Sequence, residues 1–277
     1  MPPTPAIKDW LSNASHKLSA AGVPSPKLDA EIILANILGK DRTYLHAHPE
    51  QRINPDQIKI ANHNLESRLK RIPIAYIIGH KEFYGRIFKV TPDTLIPRPE
   101  SETTLELLID ILKNTSKDQP IKLVDVGTGS GCLGITAKLE LPDIDATLLD
   151  ISEQALAIAE QNANNLSATV KIIQGDLLQN YPLKIDVILA NLPYVDRSWD
   201  RSPETDYEPS LALFADDHGM SIIKKLILQT DNHLIKNGYL IIEADPEQHR
   251  LLIEFAKKQS FELFRQKEYV IVLRKLT

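Results

Sequence analysis

Asn191-Leu192-Pro193-Tyr194 places a side-chain amide, a proline and an aromatic ring directly after Ile185 to Ala190, an apolar run that reads as a buried strand. These residue types suit the capture of a planar nitrogen. The Asn191 side-chain oxygen and the Leu192 backbone carbonyl can each accept one N–H of an amide or aromatic amine. That fixes a weakly nucleophilic nitrogen and favours the positive charge that develops as it attacks an electrophile. Pro193 keeps Leu192 extended, so the carbonyl points outward instead of entering a helix. Tyr194 supplies a flat wall for the planar group. No strong general base is required, because the nitrogen becomes acidic once it has gained its substituent. The alternative is an ordinary strand-end turn, in which Asn and Pro are common.

A second set of residues lies earlier. Asp125-Val126-Gly127-Thr128-Gly129-Ser130-Gly131 joins an apolar run to a helical pattern, and glycines there let the backbone turn tightly and let a ligand approach where a Cβ would clash. The next apolar run ends in Asp150, placed to accept hydrogen bonds from the ribose hydroxyls of an adenosine. Gly129-Ser130-Gly131-Cys132-Leu133-Gly134 also satisfies the GxGxxG dinucleotide pattern. Asp125 weighs against that reading: a carboxylate beside the loop repels a pyrophosphate but can orient the ammonium end of S-adenosylmethionine. S-adenosylmethionine is therefore the expected cofactor, with Gly127, Thr128, Gly129, Ser130, Gly131 and Asp150 around it and Asn191 near its transferable methyl group. A dinucleotide, or a loop that is only a tight turn, are the alternatives. Asp176 in Gln174-Gly175-Asp176-Leu177 is placed to meet the adenine edge, or else is a solvated loop aspartate. Cys132, at a helix start, reads as a small packed side chain and not a nucleophile.

Positioning these groups requires a doubly wound sheet. From Ile121 onward strands and helices alternate: strands at Ile121–Val126, Ala146–Asp150, Thr169–Gln174, Ile185–Ala190 and Tyr239–Glu243, with helices at Gly131–Leu139, Ser152–Asn164, near Met220–Ile235 and Glu247–Lys258, then two final strands near Phe261–Arg265 and Tyr269–Leu273. In the order third-second-first-fourth, the first and fourth strands are neighbours, which sets Asn191 to Tyr194 beside the glycine loop. Upstream, Ile77 to Glu100 reads as a hairpin around Tyr84-Gly85, followed by a helix from Ser101 to about Lys113. Between Pro5 and Arg71 the pattern is helical: Ile7, Trp10, Leu11, Ala14, Leu18 and Ala21 form one stripe, Ser25-Pro26 opens a helix that Gly39 stops, and Asn54-Pro55 opens another through Leu69. This small bundle carries no evident chemistry and reads as a docking or packing module.

Composition sets the outer limits. The 277 residues are 43% hydrophobic, enough for one large domain or two smaller ones. A single cysteine excludes an internal disulfide framework and suits a reducing compartment, so the cytoplasm is expected. Neither an export signal nor a membrane span is evident, which makes the Asn-x-Ser matches at Asn13, Asn114 and Asn165 chance. Net charge of -5 argues against direct nucleic-acid binding through phosphates. The eight histidines lack metal-ligand spacing, and no metal is expected.

With these residues in view, VDVGTGSG, the Asp150 strand end and NLPY resemble class I S-adenosylmethionine-dependent methyltransferases of the (Asp/Asn/Ser)-Pro-Pro-(Tyr/Phe) group, which act on amide or amine nitrogens. LDAEIILANILGKDRTYL, PIAYIIGHKEFYG, IPRPESE, YEPSLALFADDHGM and LIIEADPEQ are similar to the protein-(glutamine-N5) methyltransferases that act on class I peptide chain release factors. The resemblance covers nearly the whole chain. It implies an α/β fold with a Rossmann-like seven-stranded domain over 100–277, a hairpin linker over 76–99 and a helical partner-recognition domain over 1–75, with the Gly-Gly-Gln glutamine of a release factor as substrate. It further implies a glutamine clamp at Asn191, Leu192, Pro193 and Tyr194, a closing segment containing Arg98 and Glu100, and Leu177 where the family can carry an aromatic ring near adenine. Leu192 replaces the first proline of the motif, which implies a less preorganised clamp. The rivals are a glutamine methyltransferase of a large-subunit ribosomal protein, a methyltransferase fold kept only for docking, and a DNA adenine-N6 methyltransferase. IPRPESE favours release factors over the first, the intact Asp125, Asp150, Asn191 and Tyr194 speak against the second, and the third lacks a target-recognition domain and a basic excess.

Overall fold

Apolar stripes spaced for helices cannot be buried singly, and in the computed structural model the first of them pack on one another. The structure describes residues 4–113 and 119–277; Asn114 lies outside the described residues. The chain divides into two units, one of Met1–Gly79 with Ser202–Tyr207, the other of His80–Arg201 with Glu208–Thr277.

The first unit holds α1 (Ile7–Ala20), α2 (Pro26–Leu38), α3 (Arg42–Ala47), α4 (Pro55–Leu69) and α5 (Ile74–Ile78). Ile7, Trp10, Ala14 and Leu18 of α1 meet Ile33 and Leu34 of α2 and Ala61 and Leu65 of α4 in one buried cluster. Gly39 ends α2 in the left-handed conformation, and the Asn54 side chain caps α4 by accepting from the Asp56 N–H at 2.9 Å. Ser25 does not cap α2; its hydroxyl donates to Asp29 Oδ1 at 2.8 Å. Asp29 is buried and pairs with buried Arg68 at 2.6 Å. Arg68 and Arg71 together hold Glu204 of the 202–207 segment, with Arg71 reaching both carboxylate oxygens. The short helices α3 and α5 show no periodicity in sequence, because fewer than two turns cannot express one.

The second unit opens with a hairpin of β1 (His80–Phe83) and β2 (Arg86–Lys89). Tyr84 and Gly85 have φ of 50° and 70°, the pair of left-handed residues that a two-residue turn between twisted strands demands. After α6 (Glu102–Lys113) come β3 (Lys122–Val126), α7 (Cys132–Glu140), β4 (Asp145–Asp150), α8 (Glu153–Asn165), β5 (Lys171–Gln174) and β6 (Ile185–Ala190). The chain continues through α9 (Ser210–Leu213), α10 (Ser221–Gln229), β7 (Leu234–Glu243), α11 (Pro246–Lys257), β8 (Phe261–Lys267) and β9 (Val270–Lys275). Seven strands pair in the order β5-β4-β3-β6-β7-β9-β8. β3, β4, β5, β6 and β7 run parallel, and β9 is antiparallel to both its neighbours. Two hydrophobic clusters cover the faces of this sheet, one including Val124, Ile188, Leu240 and Leu252, the other Leu123, Leu148, Leu189 and Leu108. The seven-stranded α/β fold expected from the alternating pattern is the fold observed.

One expectation fails. The helix expected near Met220 to Ile235 ends at Gln229, and Leu234 and Ile235 already belong to β7. Asn237-Gly238 lies within this strand, with Asn237 at φ 61° and a register shift opposite Ile185 and Val187. A Cβ at Gly238 would stand 2.9 Å from the Asp186 carbonyl, so the glycine permits the close approach of β6.

Candidate active site

Parallel register brings the chemistry together. Val126 pairs with Leu149 on one side and Ala190 on the other, so the chain leaves β3, β4 and β6 at one level, through Gly127, Ile151 and Asn191. The crevice at these carboxyl ends is a cavity of about 390 Å³. Asp125, Gly127, Thr128, Gly129, Ser130 and Asp150 line it, as do Asp176, Leu177, Asn191, Leu192, Pro193 and Arg98. Gly131, Tyr194 and Glu100 do not form its wall; Glu100 is exposed in a single 3-10 turn, and the Tyr194 hydroxyl is bonded to Glu243.

The loop is shaped by its own carboxylates. Asp125 is 1% exposed; its Oδ2 accepts from the Thr128 hydroxyl at 2.6 Å and the Gly134 N–H at 2.9 Å, while Oδ1 is buried without a hydrogen-bond partner. Burial pushes this carboxyl up to about 6, against the downward pull of those two donors. Asp150 accepts from the Gly129 N–H at 2.8 Å and the Ser152 N–H at 3.0 Å, which joins the end of β4 to the loop. Burial raises its pKa, and the backbone donors of Ser152, Gly129 and Ile151 oppose the rise. Gly131 has φ 83°, and a Cβ there would come within 2.6 Å of Ile135 Cδ1. Gly134 lets α7 lie on the sheet, since its Cβ would be 2.3 Å from Leu148 Cδ2. Burial and then the Asp125 charge push the Cys132 thiol up to about 12, so it stays a thiol.

The strand-end residues are held from behind. Asn191 Nδ2 donates to Ser101 Oγ at 3.0 Å, and the Tyr194 hydroxyl donates to Glu243 Oε1 at 3.2 Å. The Tyr194 carbonyl accepts from Gln248 Nε2 at 2.8 Å, and a Cβ at Gly219 would overlap that same carbonyl. Leu192 is 4% exposed, and a Cβ on Gly127 would lie 2.7 Å from its Cδ2. The side chain at 192 is thus packed on the glycine loop.

The rim contains groups that spacing alone did not identify. The segment from Asp93 to Arg98 and the start of α9, with Leu211, line the cavity. Buried Glu208 ties these two segments, accepting from the Ile96 N–H at 3.2 Å and pairing with Arg98. Asp176 pairs with Lys225 of α10 at 2.6 Å. Glu243 and Glu208 are the sort of residue a sequence does flag, since each is a carboxylate inside or beside an otherwise apolar stretch. Ser101, like the other hydroxyls of its helix start, carries no such signal. Among the described residues no group of three or more His, Cys, Asp or Glu side chains is placed to hold a metal ion.

Comparison with known proteins agrees with this geometry. Residues 9–79 match the family described as PrmC N-terminal domain, and residues 100–203 match the Methyltransferase small domain. A release factor glutamine methyltransferase of Koribacter versatilis is 36% identical over 98% of this chain and 99% of its own length. One of Coxiella burnetii is 38% identical over 88% of this chain and 87% of its own. Among solved structures, a T. thermophilus 16S rRNA methyltransferase in complex with AdoMet and guanosine shares the fold, with a TM-score of 0.54 and 13% identity over 72% of this chain and 50% of its own. Identity of this extent, carried through both the helical unit and the sheet, means that the chain belongs to the release factor glutamine methyltransferase family.

Proposed function

We propose that this protein transfers a methyl group from S-adenosylmethionine to the side-chain amide nitrogen of the glutamine in the Gly-Gly-Gln motif of class I peptide chain release factors, and does so in the cytoplasm. The observation that carries the reading is the placement of Asn191, Leu192 and Pro193 on the wall of the same cavity as the glycine loop and Asp150.

The residues present fit the cofactor. Asp125 Oδ1 is a buried acceptor with no partner, suited to an ammonium group. Gly129 lines the cavity, and a Cβ there would meet nothing within 4 Å, so the glycine keeps that space clear. Asp150 would hold the ribose hydroxyls through lone pairs its backbone donors leave free, and Leu177 and Leu149 supply apolar cover for the adenine. Asp176, paired with Lys225, meets the edge of the base. When bound, S-adenosylmethionine supplies an electrophilic methyl group on a sulfonium centre.

The chain itself orients the nucleophile. Asn191 Oδ1 and the Leu192 carbonyl each accept one N–H of the substrate amide, which localises the nitrogen lone pair and stabilises the charge it acquires. Pro193 holds the Leu192 carbonyl outward, and Tyr194, fixed through its hydroxyl and its carbonyl, limits the rotation of the segment. Arg98 and Glu100 belong to the segment that closes over the glutamine, with Arg98 neutralised by Glu208. The helical unit recognises the release factor. No helix among the described residues is long and apolar enough to cross a membrane.

The test is mass spectrometry of a purified release factor after incubation with this protein and S-adenosylmethionine. A single methyl group mapped to the Gly-Gly-Gln glutamine is the expected result; methylation elsewhere, or none, would refute the assignment.

A further inference from the structure

Gln248 stands on the first turn of α11, three residues after the N-cap Asp245, where a glutamine side chain can reach back to the N-cap backbone. It does so here, its Oε1 accepting from the Asp245 N–H at 3.1 Å. That bond occupies the oxygen and leaves two N–H donors for which the helix end has no use. Both go elsewhere: the NH2 donates to the Tyr194 carbonyl at 2.8 Å and to the His218 carbonyl at 2.7 Å. The residue is 4% exposed. Glutamate serves a capping box as well as glutamine does, so the helix end does not explain why an amide stands here. The two carbonyls do, since only an NH2 can donate to both.

The turn that carries His218 is itself costly. Asp217, His218 and Gly219 have φ of 57°, 52° and 82°, three consecutive residues in the left-handed region, two of them with a Cβ. Such a run persists where its surroundings over-determine it. The Gly219 backbone lies against the Tyr194 carbonyl, because a Cβ there would overlap that oxygen and come within 2.5 Å of Gln248 Nε2. Val195 is laced on both sides: its N–H donates to the Leu213 carbonyl at 3.0 Å, and its carbonyl accepts from the Ala215 N–H at 3.2 Å. The clamp is thus a short span between two fixed ends, Ala190 in β6 and the peptide that joins Tyr194 to Val195. Turning the Leu192 carbonyl in place requires rotation about Leu192 ψ and Pro193 φ together. The pyrrolidine ring holds the second. What remains is a swing of the whole peptide about Tyr194, and the Gln248 bond opposes it.

We propose that Gln248 is a positioning residue for methyl transfer. By donating to the carbonyls of Tyr194 and His218 it pins the downstream end of the clamp to the 217–219 turn, and so fixes the direction in which the Leu192 carbonyl accepts the substrate N–H. The inference rests on the function proposed above and adds to it a residue of α11, outside the cavity wall, on which the transfer rate depends.

The experiment is single-turnover methyl transfer to a purified full-length release factor, with enzyme in excess, by the wild type, Gln248→Glu and Gln248→Met. Cofactor affinity is measured by calorimetry and melting temperature is recorded alongside. Glutamate keeps the size of the side chain and the bond from Asp245, but sets an oxygen before two carbonyl oxygens; methionine has similar length and no donor. In each variant the rate constant at saturating enzyme and cofactor is expected to fall about tenfold or more. Cofactor affinity and the half-saturating enzyme concentration should stay within about threefold of the wild type. A merely structural role would lower the melting temperature and the amount of folded enzyme but leave that saturated rate constant unchanged. A folded Gln248→Glu enzyme with the wild-type rate constant, or one whose loss is explained wholly by weaker cofactor binding, would overturn the inference. If Gln248→Glu does not fold, Gln248→Met decides alone, and an unchanged rate constant there overturns it. Absence of transfer by the wild type would instead overturn the proposed function, a result visible before any variant is compared.

Discussion

Asp125 illustrates how one side chain serves two ends. Its Oδ2 organises the loop, and its burial, which pushes the carboxyl from 3.8 to about 6, leaves Oδ1 as an acceptor in want of a cation. In the unliganded protein the ionised form is the disfavoured one, so that penalty is absent below about pH 4 and complete once the pH has risen past about 6. Cofactor binding has the opposite sign, since only the carboxylate attracts an ammonium group. Affinity for S-adenosylmethionine, measured by calorimetry, is predicted to fall as pH drops through about 6, and Asp125→Asn should weaken binding at pH 8 and remove that dependence. The place of Asp125 beside the loop could be read from its position two residues before the first glycine, as could those of Asp150 and Asn191 at the strand ends. Leu192 could not. In sequence it is only a missing proline, with rigidity as the implied loss; in the structure its side chain packs on Gly127, so packing restrains a segment that a pyrrolidine ring would otherwise stiffen. The bonds from Asn191 to Ser101 and from Tyr194 to Glu243 could not be read either, because these partners are distant in sequence.

At the level of elements, the strands were legible because parallel strands covered on both faces read as apolar runs, and the order of the first four followed from the doubly wound pattern. The end of α10 was not, since buried Ile227 and Leu234 continue an apolar spacing across the helix-to-strand junction and Asn237-Gly238 imitates a turn. How the hairpin is anchored was also hidden. Asn162 of α8 is 1% exposed and accepts from the Lys89 N–H at 2.7 Å, while its NH2 donates to the carbonyls of Lys89 at 3.0 Å and Ser130 at 2.9 Å. One amide therefore secures both the end of β2 and the glycine loop. Asn162→Ala leaves those groups unpaired in the interior and is predicted to cost about 2 to 4 kcal/mol, measured as a shift in the urea unfolding midpoint. Cofactor affinity should fall with it, because Ser130 loses its tether.

The whole molecule is organised as two cores, and a segment remote in sequence completes the helical one. Glu204 sits between Arg68 and Arg71, and although burial alone would raise its pKa, the hydrogen bonds from Arg71, Ser202 and Arg68 outweigh it and hold the carboxyl well below its ordinary 4.5. A depressed carboxyl stabilises the fold above its unfolded pKa and loses that contribution as the pH falls through the folded value, so the helical unit is predicted to weaken progressively below about pH 4.5. Trp10, buried in that unit, reports its unfolding once the other tryptophan is removed by Trp199→Phe. In that background Glu204→Gln should lower the urea midpoint at neutral pH and flatten its decline in acid. The helical unit announced itself by its stripes, but no local pattern reveals that Ser202 to Tyr207 belongs with it. In the other unit, the strand-end amide of Asn191 beside the glycine loop is proposed to capture the substrate glutamine. That capture is tested most directly by single-turnover transfer to a release factor with Asn191→Ala, cofactor affinity being measured in parallel. The expected rate is at least about a hundredfold lower, with cofactor affinity changed by no more than about threefold. Transfer at the wild-type rate, or a loss explained wholly by weaker cofactor binding, would contradict it.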